Sequence, residues 1–161
     1  MKFLLAALAA TTLITTPALA QNNAAFTGLR GDVTVGLQDV SKELDGDDVV
    51  YGVSVGVDVP LGDSFTAGVE ANTRDVFDDN RQYGVSARAG YAFTPNVLGY
   101  AHGGYTNYRQ AFTKNPEGYV VGAGAEFRIT EHTYAKAQYS YTNFDNGADA
   151  HGVGIGLGLR F

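Results

Sequence analysis

Most of the chain alternates between apolar residues and polar or glycine residues with a period of two. In the segment 53–60, valines hold the odd positions, and Ser54, Gly56, Asp58 and Pro60 hold the even ones. Successive side chains of a strand point to opposite faces, so this period predicts β-strands with one apolar face. Eight such runs occur, at roughly 27–38, 49–60, 65–74, 82–93, 97–108, 119–130, 133–143 and 151–161. In all eight runs the apolar residues carry odd numbers.

The connections between the runs alternate in length. Tight links join alternate runs, at 60–64, 94–96 and 130–132. Longer polar segments join the others, at 39–48, 75–81, 109–118 and 144–150. An even number of strands with short turns at one end and long loops at the other is typical of an up-and-down barrel. The pattern therefore predicts an all-β fold, an eight-stranded antiparallel up-and-down barrel with both termini at the short-turn end.

The period alone does not say which face meets lipid, because a soluble barrel that carries an apolar ligand keeps its apolar residues inside. Fourteen of the 21 glycines lie on the polar face, where they leave room for long charged side chains in a narrow lumen. On the apolar face, aromatic residues form two bands, which membrane interfaces favour. The bands are Phe65, Tyr91, Phe93, Phe127 and Phe161 near the short turns, and Tyr51, Tyr83, Tyr105, Tyr119, Tyr139 and Tyr141 near the long loops. We therefore predict a transmembrane barrel whose apolar face meets lipid.

The first twenty residues have the composition of a secretory signal peptide. Lys2 precedes an apolar run that ends before Pro17, and the small residues Ala18 and Ala20 suit a signal peptidase. A transmembrane helix is the alternative, but the threonines shorten the apolar run below the length that spans a bilayer. We predict a cleaved signal peptide at 1–20 and a single barrel domain at 21–161.

Composition excludes several classes of function. The chain has no cysteine, which removes disulfide frameworks, thiol nucleophiles and cysteine-ligated metal sites. Seventeen acidic residues against eleven basic ones argue against nucleic acid as a partner. No cofactor is predicted.

Two stretches of the chain and its ending resemble a known family. The stretch from Gly118 to Phe127, followed by 134–141, is similar to the opacity-type outer-membrane β-barrels of Gram-negative bacteria, often labelled the porin family. The ending Leu157, Leu159 and Phe161 resembles the terminal signal that the barrel-assembly machinery recognises, in which the final aromatic residue is central. The resemblance implies an outer-membrane protein with periplasmic termini. It departs from the family at Gln138, where many members carry glutamate.

The polar face carries the titratable residues from which a lumen site would be built. They are Arg30, Asp32, Asp58, Glu70, Arg74, Arg88, His102, Glu126, Arg128, Lys136 and Arg160. An eight-stranded barrel is only just wide enough for its side chains, so opposite charges are expected to pair across the lumen and plug it. The alternative is that they line a narrow path for ions or water, with His102 as a pH-sensitive group.

Catalytic and metal-binding patterns are sparse. Outer-membrane hydrolases need a serine or an aspartate beside a histidine, and no serine accompanies His151 at a recognisable spacing. No metal site is predicted either. Asp45, Asp47 and Asp48 are the candidates for capture of a divalent cation, but they do not match the EF-hand pattern.

The sequence thus predicts a monomeric integral outer-membrane protein with a structural or surface-interaction role and no enzymatic activity. A narrow porin-like pore is the alternative, and an outer-membrane enzyme is the third hypothesis. Expected partners are outer-membrane lipid, lipopolysaccharide and the barrel-assembly machinery. The acidic loops offer a surface for a further partner.

Replacing Phe161 by serine should impair assembly, because the terminal aromatic residue is the central element of the assembly signal that the ending resembles. The measurement is the amount of variant protein in outer-membrane fractions. Outer-membrane amounts equal to those of the unmodified protein would contradict the prediction.

Overall fold

The computed structural model describes residues 24–40, 48–76, 80–109, 117–145 and 147–161. A short 3₁₀ turn, Ala24–Phe26, precedes the first strand. The strands are β1 Gly28–Val40, β2 Asp48–Leu61, β3 Phe65–Val76, β4 Asn80–Thr94, β5 Val97–Arg109, β6 Glu117–Arg128, β7 Thr133–Phe144 and β8 Asp149–Arg160. Among these residues there is no helix with the length and apolarity needed to cross a membrane.

The eight strands form one closed sheet. Each strand pairs antiparallel with its neighbours in chain order, and β8 pairs back with β1 to close the barrel. The predicted eight-stranded up-and-down fold is therefore confirmed. The turns at 62–64, 95–96 and 129–132 lie at one end, together with Phe161, and we call this the short-turn end. The opposite end is called the long-loop end. The predicted signal peptide falls outside the described residues.

The register explains why every strand keeps its apolar residues at odd numbers. Directly paired residues share a face of the sheet, and nearly all pairs join two odd or two even residues. This requires an odd number of residues between paired positions, as between Leu61 and Phe65, which enclose the three-residue turn 62–64. The irregularity between Ala92 and Thr94 lies next to a turn and leaves the strand faces unchanged.

The odd-numbered apolar face lies on the outside of the barrel. Its aliphatic residues are exposed, among them Val33, Val55 and Ile155. Aromatic pairs lie at both ends, with ring centroids 4.9 Å apart for Phe65 and Tyr91 and 5.7 Å apart for Tyr105 and Tyr119. An exposed aliphatic middle between aromatic edges is the surface that a bilayer requires.

Several strands extend further than the hydrophobic pattern indicated. The strand predicted at 65–74 runs to Val76, and the one predicted at 82–93 runs from Asn80 to Thr94. The ladder of backbone hydrogen bonds does not need apolar side chains once a strand has left the hydrocarbon layer. The apolar pattern therefore marked the membrane-crossing part of each strand and missed its polar extension.

Glycines on the inner face allow close approach of neighbouring side chains and backbone. At Gly104 an added Cβ would lie 2.6 Å from the Cα of Ser86 on the adjacent strand. At the preceding residue, Gly103, which faces lipid, the nearest atom to an added Cβ would be the Val120 carbonyl oxygen at 3.8 Å. Two consecutive glycines of β5 thus differ sharply in the space around them.

Gly104→Ala should destabilise the barrel by about 1–3 kcal/mol, the usual effect of overpacking a site that cannot relax. Gly103→Ala is the matched control and should leave stability unchanged or slightly raised, because the added methyl group has room. The measurement is urea unfolding of the refolded barrel in detergent or vesicles. Equal effects of the two substitutions would contradict this assignment of the faces.

Candidate functional site

The inner face of the barrel brings together charged side chains from seven strands. All of them lie at even positions, so the strand period turns them inward. Eight of them, which are linked to one another by ion pairs, are called the lumen network here. It consists of Arg30, Asp32, Asp58, Glu70, Arg88, Glu126, Lys136 and Arg160.

Asp58 is at the centre of the lumen network. One of its carboxylate oxygens, Oδ2, lies 2.9 Å from Nε of Arg30 and 3.1 Å from Nη1 of Arg160. The other oxygen, Oδ1, lies 3.3 Å from Nε of Arg88. A single carboxylate on β2 therefore contacts guanidinium groups from β1, β4 and β8.

Glu126 and Glu70 extend the lumen network to β6 and β3. Glu126 accepts hydrogen bonds from Nη1 of Arg88 at 2.7 Å and from Nη2 of Arg160 at 2.6 Å. Glu70 accepts one from Nη1 of Arg30 at 2.7 Å. Charge-assisted bonds of this length are among the stronger polar contacts in proteins. The chain of contacts crosses the whole lumen.

Asp32 forms a second centre with residues of β7. Its Oδ1 lies 2.5 Å from Nζ of Lys136, and its Oδ2 accepts a hydrogen bond of 2.8 Å from the hydroxyl of Tyr134. Nη1 of Arg30 lies 3.5 Å from the same Oδ2, which joins the two centres. The lumen network is therefore continuous.

The lumen network is both buried and balanced. Arg30 and Glu126 are 0% exposed, and the most accessible side chain of the set, that of Glu70, is 16% exposed. Its four acidic groups face four basic groups. Burying an unpaired ion costs several kcal/mol, so this balance is what makes so much buried charge tolerable.

Tyrosine rings fill the space beside the arginines. The guanidinium carbon of Arg88 lies 4.2 Å from the ring centre of Tyr100, within the range of a cation–π contact. Arg160 lies 5.2 Å from the ring centre of Tyr134. The hydroxyl of Tyr100 donates to Oε1 of Gln138 at 3.1 Å. The side chain of Gln138 thus accepts a neutral hydrogen bond inside the lumen.

An apolar layer lies between the lumen network and the short-turn end. Phe26 from the 3₁₀ turn packs against Ala92 and Leu98, and all three side chains are buried. Nη1 of Arg160 donates a hydrogen bond to the carbonyl oxygen of Phe26. This residue was not among those predicted to lie in the lumen. Its only signal was an aromatic side chain at an even number, just before the first strand.

On the other side of the lumen network, towards the long-loop end, lies a small cavity lined by both polar and apolar residues. Its volume is about 20 Å³, enough for about one water molecule. The polar side chains that line it are Thr34, Gln38, Arg74, Gln138 and Ser140.

The match to a family model extends over nearly the whole chain. Residues 6–161 match the model described as outer membrane protein beta-barrel domain. The chain belongs to this family of outer membrane β-barrels. Its location is accordingly the outer membrane of a Gram-negative bacterium.

The outer membrane barrel also has a relative and structural neighbours. It is 26% identical over 122 residues to the 25 kDa outer-membrane immunogenic protein of Brucella ovis, covering 71% of this chain and 57% of that protein. It is similar in fold to Neisserial surface protein A, with a TM-score of 0.57, 14% identity, and 83% and 96% of the two chains covered. It is also similar in fold to Ail, the attachment invasion locus protein of Yersinia pestis. The TM-score is 0.56 with 16% identity, and the match covers 84% of this chain and 99% of Ail.

Three residues predicted for the lumen charge set lie outside the lumen network of this outer membrane barrel. Arg74 lines the cavity. Nε2 of His102 is buried and has no hydrogen-bond partner among the described residues. Arg128 is at the end of β6, where its Nε and Nη2 donate to Oδ1 of Asn96 at 3.1 and 2.9 Å. It bonds a turn residue because its position is beyond the reach of the carboxylates inside the barrel.

The other predicted sites have different outcomes. Leu157, Leu159 and Phe161 lie on the lipid-facing side of the last strand, and Phe161 is 74% exposed.

Asp45 and Asp47, two of the candidates for cation capture, lie outside the described residues, as does the side chain of Asp48. Within the described part of the chain, no cluster of histidine and carboxylate side chains is suited to a metal ion.

The histidines make contacts outside the lumen network. Nδ1 of His151 lies 2.7 Å from the hydroxyl of Tyr139, and its Nε2 lies 3.6 Å from Oδ2 of Asp149. Nδ1 of His132 lies 3.2 Å from the carbonyl oxygen of Arg160. Over the described ranges, no hydrogen bond joins a histidine to a serine.

Glu126→Gln should destabilise the outer membrane barrel by about 3–5 kcal/mol, because it leaves two buried guanidinium groups without this carboxylate. Asp75→Asn is the control. It removes the same charge from an exposed ion pair with Arg81, whose side chains are 58% and 64% accessible, and should change stability little. Urea unfolding of the two refolded variants is the measurement. A Glu126→Gln barrel as stable as Asp75→Asn would contradict the assigned importance of the lumen network.

Proposed function

We propose that this chain is a non-conducting outer-membrane barrel with a structural or surface-interaction role and no enzymatic activity. The observation that carries the proposal is the lumen network, which connects opposite walls of the barrel through buried ion pairs. An eight-stranded barrel has an interior just wide enough for side chains, so such a network leaves little space for a permeating solute.

A permeating ion would have to displace contacts that support one another. Arg88 and Arg160 are both held by Glu126, and Asp58 contacts both of them from the other wall. Separating any pair would leave a charge in a poorly solvated lumen. Below this layer, Phe26, Ala92 and Leu98 present an apolar obstacle to the same path.

The surface-interaction role is supported by the long-loop end. Exposed carboxylates there include Asp39, Asp75 and Glu117, so this rim is acidic. We place it on the cell surface and the short-turn end with its termini in the periplasm. The names of the relatives, an immunogenic protein and an attachment invasion locus protein, agree with exposure at the cell surface.

The absence of enzymatic activity is supported by the histidine contacts. His151 bonds a tyrosine and His132 a backbone carbonyl, while a serine hydrolase needs its histidine on the nucleophile. The fold itself does not decide the point, since one fold hosts many activities.

A narrow pore is the second candidate, and the cavity favours it. A lumen with a cavity towards the long-loop end would need a rearrangement of both the lumen network and the apolar layer of Phe26, Ala92 and Leu98 to become continuous. The polar side chains of Thr34, Gln38 and Arg74 would suit hydrated ions or small polar solutes.

Planar-bilayer recordings of the purified, refolded full-length barrel decide between the two. We expect the unmodified protein to give no steady channels. Steady channels whose conductance changes in Glu126→Gln or Arg88→Gln, but not in the exposed-site control Asp75→Asn, would overturn the closed-lumen proposal. The control is needed because it changes net charge by one without touching the lumen.

A further inference from the structure

The strand pair that closes the barrel differs from the other seven pairs. Each of the others joins strands that are consecutive in the chain, and in a hairpin the turn helps to fix the register. β1 and β8 are at opposite ends of the described chain, so no turn fixes the register between them. Something else has to select which residue of β8 faces which residue of β1.

The inner face of this closing pair offers little packing that could make the selection. Four consecutive inward positions of β8 are glycines, and each faces a residue of β1. The pairs are Gly152 with Gln38, Gly154 with Gly36, Gly156 with Thr34 and Gly158 with Asp32. A glycine has no side chain to interlock, and glycine-rich strands specify register weakly.

The side chains on the lipid-facing side of the pair do not select a register either. There Val33 faces Leu157, Val35 faces Ile155 and Leu37 faces Val153. A shift of two residues would place aliphatic residues opposite aliphatic residues again. Lipid would cover either arrangement equally well.

The charged residues of the closing pair, unlike its packing, do distinguish one register from another. Arg30 and Arg160 lie directly opposite one another on the inner face. Leu29 and Phe161 exchange both backbone hydrogen bonds, which makes the neighbouring pair of arginines the closer, non-hydrogen-bonded type. Like charges in such a pair repel. Oδ2 of Asp58 lies between them, 2.9 Å from Nε of Arg30 and 3.1 Å from Nη1 of Arg160.

The ion pairs across this closure come from complementary hairpins. The hairpin β1–β2 supplies the carboxylates of Asp32 and Asp58, and the hairpin β7–β8 supplies the cations of Lys136 and Arg160. Arg160 also donates to the carbonyl oxygen of Phe26, which lies ahead of β1. All of these contacts form only when the two ends of the barrel meet.

We propose that the contacts Arg160–Asp58 and Lys136–Asp32 set the register in which β8 closes onto β1. A slip of two residues would move both cations about 7 Å along the barrel wall, beyond the reach of their carboxylates. The arginine pair would then be moved apart, but Lys136 would be buried without its carboxylate, and Arg160 would lose Asp58 and keep only Glu126 of β6. The native register is the one in which Lys136 meets Asp32 and Arg160 meets Asp58 in addition to Glu126.

Cysteine cross-linking tests this directly, because the natural chain has no cysteine. The double variant Gly31→Cys with Leu159→Cys reports the native register, in which these residues are paired. Leu159→Cys with Val33→Cys and Leu159→Cys with Leu29→Cys report slips of two residues in either direction. Paired positions lie about 5.5 Å apart and diagonal ones about 7–8 Å, so oxidation separates them by the reach of a disulfide.

Each cysteine pair is combined with Asp58→Asn, with Lys136→Gln, or with the control Glu70→Gln. Glu70 is another carboxylate of the lumen network, but its ion pair is with Arg30 and not with β7 or β8. Only the folded form, separated by its heat-modifiable migration on a gel, is scored. We expect the ratio of slipped to native cross-links to rise about tenfold or more in Asp58→Asn and Lys136→Gln. Tenfold corresponds to about 1.4 kcal/mol. The ratio should stay at its starting value in Glu70→Gln.

Two results would overturn the proposal. One is an unchanged native cross-link in both Asp58→Asn and Lys136→Gln, and the other is an equal change in Glu70→Gln. If Asp58→Asn and Lys136→Gln give no folded band while Glu70→Gln folds, closure itself depends on these contacts and the proposal stands. Loss of the folded band in all three variants counts against it. Folding would then depend on every buried charge of the lumen and not on the two contacts that cross the closure. None of these readouts depends on whether the lumen conducts.

Discussion

Charge inside a narrow barrel has to be neutralised by groups on other strands, and this requirement links the main features of the molecule. Water reaches the lumen poorly at the level of Arg30 and Glu126, so each ion depends on a partner across the lumen. Those partners are in position only when all eight strands are in place. Closure of the barrel, its conformational stability and the exclusion of solutes that we propose therefore depend on the same set of contacts.

The outer face has much weaker requirements. Aliphatic residues there meet lipid chains, which are fluid and adapt to many side-chain shapes. The aromatic bands locate the ends of the hydrocarbon layer without interlocking with a partner. The information that makes this barrel unique is therefore concentrated on the even-numbered face, where charges, tyrosine rings and glycines fit around one another.

The sequence predicted the barrel well because a strand's two faces repeat locally, every second residue. The same alternation indicated that Asp58, Glu126 and Arg160 would share the lumen. It did not predict which of them would pair, because that depends on how far each strand is shifted along its neighbours. Arg128 shows the limit, since it has the right parity but lies too close to a turn to reach a carboxylate. Phe26 was missed because it acts from outside any strand, where alternation carries no information.

The division between the two faces also bears on how such chains diverge over generations. A valine that faces lipid can be exchanged for leucine or isoleucine one mutation at a time. A charge such as Asp58, which touches three arginines, can change only together with its partners or after they have been replaced. Outward positions can then change independently, while inward positions change in correlated groups. Each lineage thereby acquires its own set of contacts inside the barrel. This chain and Neisserial surface protein A are similar in fold with 14% sequence identity, so the barrel itself allows widely different sets of side chains.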